Sequence, residues 1–201
     1  MDISLHGAMD GVSAAAVVRD RYALPVIYLT AHSDPNTLER AQLTEPFGYL
    51  LKPLGQTSIK AMVTMAIHKH QRERQIQNSR ALLFKIIQGL PDGIVAADLS
   101  GEILFLNRAG EHITGWTSQD ATGAELLNVA HIKNDDHRPL LPLLLQQALS
   151  GGFPVQLPDS SRLVTKDGNT VKVSGRLAVK IAGSGADGVF ITLQQTSADG
   201  A

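Results

Sequence analysis

Between Thr57 and Gly89 the sequence has no proline, and no glycine before its last residue, so nothing in that stretch breaks a helix. At ~1.5 Å per residue such a helix spans roughly 50 Å, more than a small domain needs internally. A chain with this helix near its middle is expected to fold as two bodies, one on each side, and 201 residues leave room for a modest core in each. Met62, Met65, Ala66 and Ile67 are the candidates for packing on the first body. The middle of the stretch, Lys69 to Arg80, is heavily polar, which leaves two readings open: a solvated linker, or a short heptad strip at Ile76, Leu83 and Leu90 that pairs with a second copy.

Composition removes several classes. The absence of cysteine excludes disulfides, thiolate metal sites and photochemistry through a cysteine adduct. A net charge of -1 disfavours a basic nucleic-acid-binding surface. Apolar runs such as Leu140 to Leu145, interrupted by Pro142, fall far short of the roughly 20 residues that span a membrane. The start, Met1-Asp2-Ile3-Ser4, is no secretory signal, so a cytoplasmic chain is expected.

Before the long helix, Val12 to Arg19 suits a helix, and Leu24 to Thr30 is a continuous apolar run that reads as a buried parallel strand. Ser33-Asp34-Pro35 gives helix-start signals, and Gly48 to Leu51 is a second apolar strand closed by Lys52-Pro53. Alternating strands and helices argue for an α/β, parallel arrangement. Within it stand Asp2, the turn Met9-Asp10-Gly11, Thr30, Tyr49 and Lys52-Pro53. In that order and spacing, residues 1 to 70 resemble the C-terminal half of a two-component response-regulator receiver domain, a flavodoxin-like fold.

The resemblance implies a role for each residue. Asp2 would be the phosphoacceptor, Thr30 and Lys52 the phosphate-binding hydroxyl and ammonium, Tyr49 the switch aromatic and Pro53 a cis proline. A carboxylate can attack a phosphoryl group when a divalent cation neutralises the oxygens, and the family holds Mg2+ for this purpose. The first two strands and helices of a complete receiver, which carry the acidic pair for that cation, are missing from this sequence. Asp2 alone is an incomplete metal site, and stable phosphorylation is not expected.

After Leu90-Pro91-Asp92-Gly93 the texture changes to an α+β layout. Ile94 to Ala97 and Ile103 to Leu106 flank the turn Asp98 to Gly101, a hairpin signature. Asn107 to Gly115, Ala124 to Ala130 and Leu140 to Leu149 are helical pieces. Arg162 to Thr165, Thr170 to Ile181 and Gly188 to Leu193 read as three more antiparallel strands. The set Leu90-Pro91-Asp92-Gly93-Ile94, Asn107-Arg108-Ala109, Ile113-Thr114-Gly115-Trp116 and Lys166-Asp167-Gly168 makes residues 83 to 197 resemble the PAS family, a five-stranded antiparallel sheet with small helices. Asn107 reads as a helix cap, Gly115 as a positive-φ position, Asp167-Gly168 as a tight turn and Trp116 as a core residue.

These motifs identify a fold without naming a ligand. His131 lies where haem-binding relatives place an axial histidine, but a lone histidine is more often a surface or capping residue. His112, Asp135, Asp136 and His137 are better read as solvated polar groups than as metal ligands. The two resemblances together imply a non-enzymatic signalling protein of the phosphorelay type. A cognate histidine kinase would be its partner, and residues 57 to 89 with the PAS body would allow a homodimer. The alternatives are a fragment of a hybrid sensor kinase or nucleotide cyclase lacking its catalytic domain, or a PAS-containing transcription regulator.

Overall fold

A computed structural model describes residues 1–3, 5, 9–31, 35–180 and 187–196. The Ser33-Asp34 helix start and the Ile181 end of the expected Thr170 to Ile181 strand lie outside them. The chain divides into two compact units, Met1–Ala81 and Leu82–Ala201.

In the first unit α1 (Gly11–Tyr22) starts where the Asp10 carboxylate accepts the Ser13 amide at 2.7 Å, an N-cap satisfying one of the helix's orphan donors. Next come β1 (Ile27–Thr30), α2 (Pro35–Gln42) and β2 (Gly48–Leu51), with β1 and β2 parallel and Thr30 opposite Leu51. Met1 to Ile3 runs beside β1: Ile3 donates to the Leu29 carbonyl at 3.1 Å, and Leu29 donates to that of Met1 at 2.7 Å. Ile3, Val12, Ala15, Val26, Tyr28 and Ala41 form the core.

Helix α3 (Gln56–Gln88) carries the unbroken stretch. Of its four apolar candidates, Ala66 is buried and the Met62 sulfur lies so close to Gly48 that a Cβ there would meet it at 2.6 Å. Met65 and Ile67 are exposed, because residues one position from Ala66 are rotated about 100° off the packed stripe. Leu90 falls beyond the helix end, which leaves Ile76 and Leu83 as the two exposed members of the proposed strip.

The second unit is an α+β fold with a curled antiparallel sheet. Its elements are β3 (Gly93–Ala97), β4 (Ile103–Leu106), α4 (Arg108–Thr114), α5 (Ser118–Ala121), α6 (Leu126–Val129), β5 (Ile132–Lys133), α7 (Leu141–Gly151), β6 (Val155–Gln156), β7 (Arg162–Val164), β8 (Thr170–Lys180) and β9 (Gly188–Gln195). The strand order is β4-β3-β9-β8-β7-β5, with β6 paired to β8. The five expected strands are present, and the two-residue strands β5 and β6 extend them. Such short strands leave no alternation in a sequence; their side chains are placed by the neighbouring ladders.

Alternate residues of β3 and β9, Val95, Ala97, Val189, Ile191 and Leu193, point inward against Leu126, Leu141 and Leu144 of the helices. Each fully buried leucine or isoleucine contributes ~1.5–3 kcal/mol. The β8–β9 approach depends on Gly175, where any Cβ would strike the Thr192 carbonyl.

Candidate functional site

In the first unit the residues singled out at the strand ends do come together. Asp2 sits beside β1, Thr30 closes β1, and Lys52 follows β2. The Lys52 amide donates to the Thr30 carbonyl at 2.8 Å, and the Lys52 ammonium forms an ion pair with the Asp2 carboxylate. The Lys52–Pro53 peptide bond is cis. Tyr49 is half-buried, its ring stacked 5.8 Å from that of Tyr28, and its hydroxyl is buried without a hydrogen-bond partner. Burial, and then the nearby Tyr28, pushes the Tyr49 phenol above its ordinary range. Asp10 stands apart from this group as the cap of α1, ion-paired with Arg40 at 2.7 Å. Its carboxyl lies far below the ordinary range, first because of the Ser13 amide and then because of the Ser13 and Arg40 side chains. Among the described residues no three acidic, histidine or cysteine side chains are placed to share a metal ion. With a single carboxylate already held by an ammonium, these residues do not fit a magnesium site.

In the second unit the organising side chain is Asn107. Its Oδ1 accepts the amides of Ile94 at 2.7 Å and Gly110 at 2.8 Å, while Nδ2 donates to the carbonyls of Ile87 at 3.0 Å and Asp92 at 2.9 Å. One fully buried amide thus ties together the last turn of α3, the entry turn, β3 and the start of α4. Beside it the Arg108 amide donates to the Gln88 side chain at 2.8 Å. From β9, Gln194 donates to the Asp92 carboxylate at 2.8 Å. The Asn-Arg-Ala motif disclosed the cap on α4; the two bonds to Ile87 and Asp92 had no sequence signal, because they join segments made neighbours only by folding.

The other motif residues hold the periphery. Gly115 ends α4 at φ 74, and Gly168 turns the β7–β8 hairpin at φ 82, following Asp167. Trp116 packs against the core with its indole nitrogen buried and unpartnered, and the Lys166 ammonium lies 4.7 Å from its ring centre. Lys166 also pairs with Asp120 at 2.8 Å, which holds the Asp120 carboxyl below its ordinary range, with the Thr117 hydroxyl adding to the effect.

A cavity of about 220 Å³ opens between the Leu99–Gly101 turn and Leu126, Leu145, Leu149 and Val189. It is smaller than the ~300–1,000 Å³ of typical ligand pockets. His131 is partly exposed, does not line this cavity, and accepts the Val164 amide through its own carbonyl at 2.9 Å.

Comparison with known proteins places this geometry in context. Residues 81–195 match the family model described as the PAS fold. The chain is 28% identical over 138 residues to the DNA-binding transcriptional regulator NtrC of Proteus hauseri, an alignment covering 68% of this chain and 28% of that regulator. The chain therefore spans little more than a quarter of that relative's length. Among solved structures, the signal receiver domain of a modulated diguanylate cyclase from Desulfovibrio desulfuricans G20 is similar at 43% identity, covering 36% of this chain and 57% of that one, with a TM-score of 0.35. The PAS domain of nitrogen regulation protein NR(II) from Vibrio parahaemolyticus is similar at 16% identity, covering 57% of this chain and 98% of that one, with a TM-score of 0.47.

Proposed function

Since the chain belongs to the PAS fold family, we propose that it is a signal-transduction module in which the PAS unit governs the end of helix α3. The observation that carries this reading is Asn107, whose buried amide grips the Ile87 carbonyl with one end and the β3 and α4 amides with the other. A rearrangement of the sheet that moves β3 has to stretch or release the helix end, because all four bonds share one rigid side chain.

The finer reading is a phosphorelay protein. Met1 to His70 acts as a receiver element, with Asp2, Thr30, Tyr49 and Lys52 at the positions such a domain uses, and a histidine kinase is its partner. A second copy docks through α3 and the PAS unit. The chain works by binding and conformational change, without turning over a substrate. The clustering of Asp2, Lys52 and Thr30 supports this reading, as does the similarity to a transcriptional regulator.

Hydrogen exchange provides the test. In Asn107→Ala the amides of Ile86 to Leu90 should exchange faster, together with those of Ile94 and Gly110. If the helix end keeps its protection while β3 loses its own, the sheet does not govern the helix.

A further inference from the structure

The outer face of the second unit carries a row of like charges that the described residues neutralise only in part. Lys133 in β5 is the direct partner of Arg162 in β7, and Arg162 is the direct partner of Lys172 in β8. The next residue of β7, Leu163, is fully buried on the opposite face. Three cations in line across adjacent strands repel one another, and directly opposed like charges destabilise a sheet. Among the described residues the row has one counter-charge, Asp135, whose carboxylate lies 3.0 Å from Arg162 Nη2. Among the described residues neither lysine has an ion-pair partner.

Two further features lie at the same place. The other guanidinium nitrogen, Arg162 Nη1, is shut off from solvent and makes no hydrogen bond, although guanidinium is a strong donor that proteins seldom bury unsatisfied. A cavity of about 200 Å³ lies there, lined by Lys133, Arg162, Thr170 and the turn residues Asn134, Asp135 and His137. That turn is tightly built: the Arg138 amide donates to Asn134 Oδ1 at 2.8 Å, the His137 amide to the Asn134 carbonyl at 3.0 Å, and His137 is held at φ 61.

We propose that this face binds a small oxyanion, a phosphate or a carboxylate, between Lys133, Arg162 and the 134–138 turn. The Arg162 guanidinium, held in place through Nη2 by Asp135 and through its buried Nη1 edge, forms one charged wall of the cavity, Lys133 supplies a point charge, and Lys172 adds its field from the next strand. The cavity is below the ~300–1,000 Å³ of pockets for larger molecules, so it takes a single phosphate or carboxylate group. The site lies on the opposite side of the sheet from the packed core and makes no use of Asn107.

The experiment is a thermal melt of the full chain titrated with sodium phosphate, sodium succinate or sodium chloride at matched ionic strength. A saturable rise with phosphate or with succinate, absent with chloride, is the expected result, and the effective anion identifies the source. Because Arg162→Gln removes a partly buried ion pair and so disturbs the fold as well as the site, Lys133→Gln and Lys172→Gln carry the test. Each should fold, and Lys133→Gln should weaken apparent binding by about tenfold or more, the worth of one charge-assisted hydrogen bond. Melting that follows ionic strength alone, or equal saturation in both lysine variants and the unaltered chain, overturns the proposal.

Discussion

The side-chain nitrogen of Asn107 donates to the carbonyl of Ile87 at 3.0 Å, so the last turn of α3 is closed by a residue twenty positions further along the chain. The same amide accepts the backbone N–H groups of Ile94 and Gly110, so its loss leaves those donors, and the Asp92 carbonyl of the entry turn, without this partner. Asn107→Ala should destabilise the second unit by about 2–4 kcal/mol, measured by urea denaturation. Asn107→Asp keeps the acceptor but sets a carboxylate against two carbonyls, and should recover little of the loss. A change below about 0.5 kcal/mol in the alanine variant would remove Asn107 from its central place.

Residues 82–196 should fold alone, because the whole antiparallel sheet and its core lie within them. A cooperative melt with mixed α and β circular dichroism is the expected outcome. A gradual melt would mean that the second unit depends on residues before Leu82.

Asp2 should resist stable phosphorylation in this chain. Its carboxylate is paired with Lys52, and no described cluster of acids can hold a cation to offset repulsion from an incoming phosphoryl group. Two like charges ~4 Å apart repel by roughly 1 kcal/mol in water and by several at intermediate dielectric. Intact mass after incubation with a small phosphodonor and magnesium should show no stoichiometric gain. A gain that disappears in Asp2→Asn would sink this prediction.

Ile76 and Leu83 lie seven residues apart on α3 and are exposed, which suits a seam with a second copy. Changing both to glutamate should shift the sedimentation mass toward monomer. An unchanged mass at every concentration counts against self-association through this helix.

Trp116 reports on Asp120 through Lys166. The folded carboxyl of Asp120 titrates below its ordinary range, so its stabilising contribution is full above that range and is lost as pH falls through the lowered value. Trp116 is the sole tryptophan, and its emission should stay level from neutral pH down into the ordinary aspartate range, changing only below it. Asp120→Asn should abolish that acid step. A transition of the same size in the variant would assign it to another group.

The parts of this fold legible in sequence were those fixed by local chemistry. Gly48–Leu51 and Ile103–Leu106 read as strands because each is a compact apolar run between turn signals, and the long helix because nothing in it breaks. Asp167-Gly168 marked its turn because few other pairs suit a positive φ there. What escaped and was set by distant partners were the two-residue strands β5 and β6, whose pairing comes from β7 and β8. The ion pair between Asp2 and Lys52 joins residues fifty positions apart, and it was the order of motifs that brought them to notice. The cationic row on the outer sheet face had no signal at all, since Lys133, Arg162 and Lys172 become neighbours only through strand register.

The position of β9 has a consequence for synthesis. This strand lies between β3 and β8, with Gly93 paired to Leu193, so the sheet cannot close until residues near the end of the described chain have been made. At ~5–20 residues per second, β3 waits on the order of 5 to 20 s for its neighbour. Throughout that interval the nascent β3–β4 hairpin presents an unpaired apolar edge to the ribosome surface and to chaperones.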